Sequence, residues 1–302
     1  VYKRQPTDYY DMYRDIDFGE APMGDWEPEE WRRKTTSNAP MIGVKGEEDR
    51  QIAVRAYCAQ LTHIDHQIGK ILYYIQRHAH TKNTVVMFTS DHGDLLGDHG
   101  SWRKIFPYEG SAKIPMIIRT PDTFIQTVNT TLGYRTEDTP ITHMDIMPTL
   151  LKVADITVPE NVEGIDFIGP LYGKPIIGRE FIHGEHTAGE LIGVQFVTDG
   201  KYKYCYDTYH GREQLFNLTD DPKELRNLAP LEEYSDKLAL WKGRLIEILE
   251  KRPEDGLVEN GVLKTGISLP SIRKELLEGI GPEELHPNAL RGVRNFFGED
   301  FL

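Results

Sequence analysis

The feature that most constrains the fold is a long amphipathic segment followed at once by a short apolar one. Within residues 47–80, apolar side chains recur mostly three or four positions apart, at Ile52, Ala56, Ala59, Ile64, Ile68, Ile71, Leu72 and Ile75. This spacing predicts a long helix with one apolar face. Residues 84–89 form a continuous, mostly apolar run with β-branched residues at its start. Such a run indicates a strand buried on both faces, as in a parallel sheet.

The elements predicted after this strand are typical of a layered α/β fold. Residues 114–119 predict a second buried strand, and residues 141–154 predict a helix with Thr142 as its N-cap. The order helix, strand, loop, strand, helix is characteristic of α/β domains. We therefore expect residues 1–178 to form part of an α/β domain.

A different pattern begins near Gly178. Short strand patterns occupy residues 181–183, 194–197 and 202–206. Asp199-Gly200 is a hairpin turn signal between the last two strands, and residues 231–249 have the periodicity of an amphipathic helix. We therefore expect residues 179–302 to form a small α+β domain with an antiparallel sheet and a helical tail.

Composition narrows the classes of partner. The chain has 302 residues, 39% of them hydrophobic, which is enough for a large core. Its formal net charge of -13 repels nucleic acids and anionic membranes, and no run of lysine and arginine supplies a local basic patch. We expect neither nucleic acid nor a membrane as partner. The chain starts at Val1 without a visible leader, so we expect upstream sequence, and both oligomeric state and localisation, with periplasmic or secreted as options, stay open.

The chemically informative segment is residues 89–104, which directly follows the first predicted strand. In open α/β sheets, ligands bind at the carboxyl ends of the strands. Asp91 and His92 are adjacent there, and a carboxylate and an imidazole are both good ligands for divalent metals. The alternative is that Asp91 caps a turn and His92 lies on the surface.

Lys104 lies on the same predicted loop. It follows Trp102 and Arg103 and precedes Ile105 and Phe106, and this apolar setting favours an inward-facing ammonium group. A cation beside a metal would stabilise a tetrahedral oxyanion. The alternative for Lys104 is an ordinary solvated surface lysine.

Several ordered motifs together resemble the type I sulfatases of the alkaline-phosphatase superfamily. The matching blocks lie between residues 57 and 228 and include Asp91-His92-Gly93, Gly97-Asp98-His99-Gly100, Trp102-Arg103-Lys104, residues 143–151, residues 197–204 and residues 213–218. The resemblance implies the C-terminal part of an alkaline-phosphatase-like α/β sandwich followed by a small α+β domain. It also implies hydrolysis of sulfate esters, with a small-molecule sulfate ester or a sulfated sugar as substrate.

The resemblance also implies roles for individual residues. Asp91 and His92 correspond to two ligands of a divalent ion, usually calcium; manganese stays open because histidine is a soft ligand for calcium. Lys104 corresponds to a lysine that contacts the sulfate oxygens. His99 is a further catalytic candidate, with a structural role as the alternative. The histidines at 143, 183 and 186 match no catalytic position, and we expect structural or surface roles for them.

Part of the family's catalytic machinery is absent from this sequence. The family's nucleophile is a formylglycine made in a Cys/Ser-x-Pro-x-Arg motif. Cys58 precedes Ala-Gln-Leu-Thr and Cys205 precedes Tyr-Asp-Thr-Tyr, so neither cysteine fits the motif. The family's N-terminal paired aspartates are absent too. We expect the formylglycine upstream of this chain, and we expect these residues alone not to turn over a sulfate ester.

Two other functions stay open on the sequence. Asp91-His92 with Lys104 also fits a phosphonate monoester hydrolase or phosphodiesterase of the same superfamily. The absent nucleophile also fits a non-catalytic module that binds sulfated or phosphorylated glycans.

Overall fold

A computed structural model describes residues 6–26, 46–78, 80–104, 106–121, 138–169, 179–187 and 193–267. The elements up to residue 153 are the helices α1 (Thr7–Asp11), α2 (Glu47–Arg77), α3 (Glu109–Ala112) and α4 (Ile146–Val153), and the strands β1 (Val86–Thr89) and β2 (Met116–Arg119). The two helices and two strands expected between residues 47 and 154 are thus confirmed.

Helix α2 has acidic residues in its first turn and Arg77 in its last, which complements the helix dipole. Its buried apolar side chains are small, namely Ala53, Val54, Ala56 and Ala59. Further along the predicted apolar face, Ile64 and Ile71 are 41% and 59% exposed. Within this helix, the buried residues therefore lie in its N-terminal half.

The predicted capping role of Thr142 is confirmed at the turn that leads into α4. The Thr142 hydroxyl accepts a hydrogen bond from the Met144 backbone N–H at 3.2 Å, and the Asp145 carboxylate accepts one from the Thr142 N–H at 2.7 Å. This reciprocal pair is a capping box, and it starts a single turn, His143–Asp145, that leads into α4. Asp145 is fully buried and also binds the Arg179 guanidinium through two contacts of 2.8 Å.

The predicted parallel sheet is wrong for the strands that the structure describes. β1 and β2 pair antiparallel, with Val86 opposite Arg119 and Thr89 opposite Met116. Neither strand has a buried residue, and Ile117 is 59% exposed. An apolar run indicates a tendency to be buried, but it carries no information about strand direction. Here the chain reverses between the two strands, which makes them antiparallel.

The second part of the chain forms the predicted antiparallel sheet. Its elements are β3 (Ile182–Thr187), β4 (Gly193–Thr198), β5 (Tyr202–Asp207), β6 (Arg212–Asn217), α5 (Ser235–Glu250), β7 (Val258–Glu259) and β8 (Val262–Leu263). β3 to β6 form one four-stranded sheet in sequence order, with every neighbouring pair antiparallel. β7 and β8 form a separate two-stranded hairpin.

The two faces of this four-stranded sheet have different partners. On one face Tyr204 and Leu215 pack against Trp241 of α5 in the larger core. On the other face Cys205 and Phe216 belong to a core that includes Leu95, from the loop after β1. The sheet therefore lies between helix α5 and the segment that the sequence singles out as chemically active.

Some expectations fall outside the described residues. The predicted domain boundary at 178/179 adjoins the undescribed residues 170–178, so the division into two domains stays a prediction. The predicted helical tail lies beyond residue 267. Among the described helices, none combines the length and apolarity needed to cross a membrane.

Candidate metal and anion site

Asp91 and His92 follow the end of β1 and face each other. His92 Nε2 lies 3.4 Å from Asp91 Oδ2, and His92 Nδ1 lies 2.7 Å from the Gly93 carbonyl oxygen. A carbonyl can only accept, so Nδ1 carries the proton in that hydrogen bond and Nε2 is directed toward the carboxylate. Metal-binding histidines are commonly held in this way, by a hydrogen bond from the second ring nitrogen to a backbone carbonyl. The pair therefore has the donor atoms and the orientation of two metal ligands.

The Asp91 carboxylate is open to solvent and ionised. Its side chain is 82% exposed. The pKa of Asp91 is lowered, first by the hydrogen bond that the His92 backbone N–H donates to Oδ1 at 3.0 Å, and further by nearby positive charge that includes Lys104. An exposed, ionised carboxylate next to an imidazole nitrogen suits a divalent cation.

The backbone around this pair is closely packed. The Gly93 N–H donates to the Ser111 carbonyl at 2.8 Å, and a Cβ at Gly93 would lie 2.1 Å from the Gly110 carbonyl oxygen. Only glycine permits this approach. On the other side, His143 Nε2 donates to the Ser90 carbonyl at 2.7 Å. His143 thus has a structural contact, as expected, and that contact holds the residue before Asp91.

The site loop, residues 90–104, is also held by its own hydrogen bonds. Asp94 Oδ1 accepts from the backbone N–H groups of Leu96 and Arg103 at 3.0 and 2.9 Å. Leu96, His99 and Arg103 all have positive φ angles, of 50°, 52° and 63°. Such conformations cost about 1–3 kcal/mol each and persist where the surroundings enforce them. The loop is therefore held in one shape by its hydrogen bonds and packing, against the backbone preference of these three residues.

Lys104 lies at the end of the site loop and is exposed. The expected inward position is therefore wrong: Trp102 is buried at 2% exposure, whereas Lys104 projects outward. The positive charge of Lys104 acts to lower the pKa values of both Asp91 and His186. In the described part of the chain no hydrogen bond or ion pair occupies its ammonium group. The structure thus leaves the ammonium of Lys104 exposed at the end of the loop that carries Asp91 and His92.

His99 is placed elsewhere. It is 4% exposed, and its ring lies 5.1 Å from the ring of Trp26 and 4.7 Å from the ring of Tyr108. Its Nδ1 accepts a hydrogen bond from the Gly24 N–H at 3.3 Å. These contacts match the structural alternative, and they give no support to the catalytic role expected for His99. We therefore assign His99 to the aromatic cluster that supports the loop.

The described residues supply only part of a metal site. Within the described ranges, no group of three or more histidine, cysteine, aspartate or glutamate side chains is arranged to hold a metal ion. Asp91 and His92 fit a divalent ion as two ligands, whereas calcium takes six to eight oxygen ligands and magnesium six. Asp91 and His92 alone therefore do not complete the coordination of such an ion.

Beneath the site lies a buried charged cluster that sequence reasoning missed. Lys203 Nζ lies 2.8 Å from Glu224 Oε1, 2.7 Å from Glu109 Oε1 and 2.8 Å from the Pro107 carbonyl oxygen. Lys203 and Glu224 are each 1% exposed. Glu224 also accepts the Glu109 backbone N–H at 2.7 Å. The cluster joins the segment after the site loop to the four-stranded sheet.

The pKa values of Glu224 and Lys203, the two buried partners of this cluster, are both shifted upward. Burial raises the pKa of Glu224, and the opposing effect of Lys203 does not cancel it. Burial acts to lower the pKa of Lys203, but attraction to Glu224 and Glu109 outweighs burial and the net direction is upward. Both shifts favour protonation, at Glu224 because burial dominates and at Lys203 because two carboxylates together outweigh burial. Only the strand position of Lys203, between apolar neighbours, hints at this burial in the sequence.

Two family models match overlapping parts of this chain. The family model described as Sulfatase matches residues 7–156, and the model described as N-sulphoglucosamine sulphohydrolase, C-terminal, matches residues 97–251. An arylsulfatase of Clostridium perfringens (strain 13 / Type A) is 38% identical over 273 residues, which cover 89% of this chain and 55% of that protein. The chain thus spans about half the length of this curated relative.

Solved structures share the fold. A 2-O GAG sulfatase has a TM-score of 0.66 at 22% identity, covering 85% of this chain and 56% of that one. A phosphonate monoester hydrolase from Silicibacter pomeroyi has a TM-score of 0.59 at 23% identity, covering 72% of this chain and 44% of that one. At these identities the likeness concerns the fold alone. Together with the helices and antiparallel sheets described above, it confirms the predicted fold class, an alkaline-phosphatase-like α/β fold.

Proposed function

The chain belongs to the type I sulfatases of the alkaline-phosphatase superfamily, and from this premise we propose that its site loop forms the metal- and sulfate-binding part of a sulfatase active site. The observation that carries the proposal is the arrangement of Asp91 and His92, with Nε2 and Oδ2 3.4 Å apart and Lys104 nearby. Asp91 lies within the first matched segment, and Lys104 lies within both.

In this proposal Asp91 Oδ2 and His92 Nε2 hold a divalent ion, calcium or manganese. The bound ion supplies Lewis-acid stabilisation of negative charge. The Gly93 carbonyl keeps His92 in the required tautomer, and the His92 backbone N–H keeps Asp91 ionised. These two contacts prepare the ligands before the ion binds, which reduces the reorganisation that binding requires.

Lys104 has a separate task in the proposed reaction. Hydrolysis of a sulfate monoester adds a nucleophile at sulfur and releases an alcohol, so charge shifts among the oxygens around sulfur. A positioned ammonium stabilises that charge in the transition state. Lys104 is exposed, and its charge acts on Asp91, so its ammonium can contact a sulfate group bound beside Asp91 and His92.

The remaining machinery is proposed to come from other sequence. These 302 residues contain no Cys/Ser-x-Pro-x-Arg motif, and we propose that a formylglycine and further metal ligands are supplied from outside them. We call the chain together with that sequence the complete protein. Its substrate is proposed to be an aryl sulfate or a sulfated sugar, in line with the names of its arylsulfatase relative and its matched family.

A second candidate is a phosphonate monoester hydrolase, because one such enzyme shares the fold. Assays of the complete protein with 4-nitrophenyl sulfate and with a 4-nitrophenyl phosphonate monoester compare the two groups at a constant leaving group. We expect the sulfate to give the higher kcat/KM. A higher kcat/KM for the phosphonate would favour the second candidate. No turnover of either ester would favour a non-catalytic glycan-binding module.

A further inference from the structure

The edge strand β3 presents its side chains alternately to the two faces of the four-stranded sheet. His183 Nε2 lies 2.8 Å from Gln195 Oε1, and the Glu185 carboxylate lies 3.0 Å from the Arg252 guanidinium. His183 and Glu185 therefore point to one face. His186, the next residue along, must point to the other face.

The face of the four-stranded sheet on which His186 lies is the one that packs against the site loop. His186 lies directly opposite Val194 of β4. Residues that lie opposite each other on neighbouring strands project to the same face of the sheet. Val194 belongs to the core that contains Leu95 of the site loop. The sheet thus presents His186 toward the segment that carries Asp91, His92 and Lys104.

His186 lies on the sheet face that packs against the site loop, and Lys104 ends that loop. The side chain of His186 is half-buried, and its pKa is lowered by burial and then by the charge of Lys104. Both influences keep the imidazole neutral. Among the residues that the structure describes, no hydrogen-bond or ion-pair partner occupies either ring nitrogen of His186. A neutral imidazole donates one hydrogen bond and accepts one, as a sugar hydroxyl does.

We propose that His186 is a substrate-binding residue, which hydrogen-bonds a hydroxyl group of the alcohol part of a sulfated sugar whose sulfate is held at Lys104. This inference rests on the proposed function and assigns it a substrate class, sulfate esters that carry free hydroxyl groups. Lys104 ends the loop that packs against the sheet face carrying His186, so a sulfate bound at Lys104 has its alcohol part directed toward the edge strand. His186 would then select among esters without taking part in cleavage.

The test compares two esters in the complete protein. For glucosamine 6-sulfate, which has hydroxyl groups, we expect His186→Ala to raise KM about tenfold with little change in kcat, the size expected for one hydrogen bond. For 4-nitrophenyl sulfate, whose alcohol part has no hydroxyl group, we expect kcat/KM to stay within about twofold. His186→Gln, which keeps a donor and an acceptor, should restore part of the lost affinity.

His183→Ala is the matched control, since His183 lies on the same strand but faces away from the loop. We expect His183→Ala not to raise the KM for glucosamine 6-sulfate selectively over the KM for 4-nitrophenyl sulfate. An equal loss of kcat/KM on both esters, or no effect of His186→Ala on the sugar, overturns the inference. Turnover of the aryl sulfate without any turnover of the sugar also overturns it but leaves the proposed function intact. Failure of the wild-type protein on both esters refutes the proposed function itself.

Discussion

Replacing Lys104 with alanine is expected to lower kcat of the complete protein for a sulfate ester about 10²–10³-fold, the usual cost of removing one positioned donor to a developing oxyanion. The lost interaction is an ammonium contact to the sulfate oxygens that strengthens as charge develops. Lys104 has no hydrogen bond or ion pair within the described residues, so its removal should leave the fold and the metal content unchanged. Steady-state kinetics together with metal analysis checks both parts.

Lys201→Ala is the matched control, because Lys201 is an exposed lysine in the turn between β4 and β5. It should have wild-type kcat. If Lys104→Ala and Lys201→Ala both retain wild-type turnover, Lys104 is an ordinary surface lysine, and the anion-binding half of the site is misassigned.

The substitution with the largest expected effect on stability is Lys203→Met, at about 3–5 kcal/mol, because removing one partner of a buried ion cluster leaves uncompensated charge. Lys203 is 1% exposed, and without it Glu224 and Glu109 face each other in the core. Denaturant unfolding of the protein measures the effect. Lys242→Met is the control, since the ion pair of Lys242 with Glu213 is partly exposed and should contribute about 0–1 kcal/mol.

The effect of Lys203→Met should depend on pH. Burial already raises the pKa of Glu224, and removing Lys203 raises it further. A carboxyl group with a raised folded-state pKa contributes most below its unfolded pKa, and that contribution is lost as pH rises. The variant should therefore lose more stability at about pH 8 than at about pH 5. An equal loss at both values would show that the cluster carries no net electrostatic strain.

The sequence was most informative where residues are adjacent. Asp91 and His92 follow one another directly after one strand, so their proximity follows from chain connectivity. The clustered charge at Lys203 could not be predicted, because Lys203 lies 94 residues from Glu109 and 21 from Glu224 in the sequence. Their approach requires the sheet to pack on the segment after the site loop, which no periodicity reveals.

The direction of the first two strands and the burial of His99 also lay beyond the sequence, for similar physical reasons. The apolar runs of β1 and β2 correctly predict strands, but periodicity does not encode strand direction. His99 stands among polar and glycine residues in the sequence, yet Trp26 and Tyr108, from other segments, bury it. For His186, alternation along β3 separates the two faces, but only the packing of the sheet shows which one meets the site loop.

Metal analysis of the complete protein and its Asp91→Ala and His92→Ala variants tests the central claim most directly. Wild-type protein should retain a stoichiometric divalent ion after exhaustive dialysis, and either substitution should weaken binding strongly. His210→Ala is the matched control, because His210 forms a second histidine–aspartate pair, with Asp207 at 2.7 Å, in the turn between β5 and β6. Wild-type metal content in both site variants would contradict the account, since Asp91 and His92 would then not hold the ion.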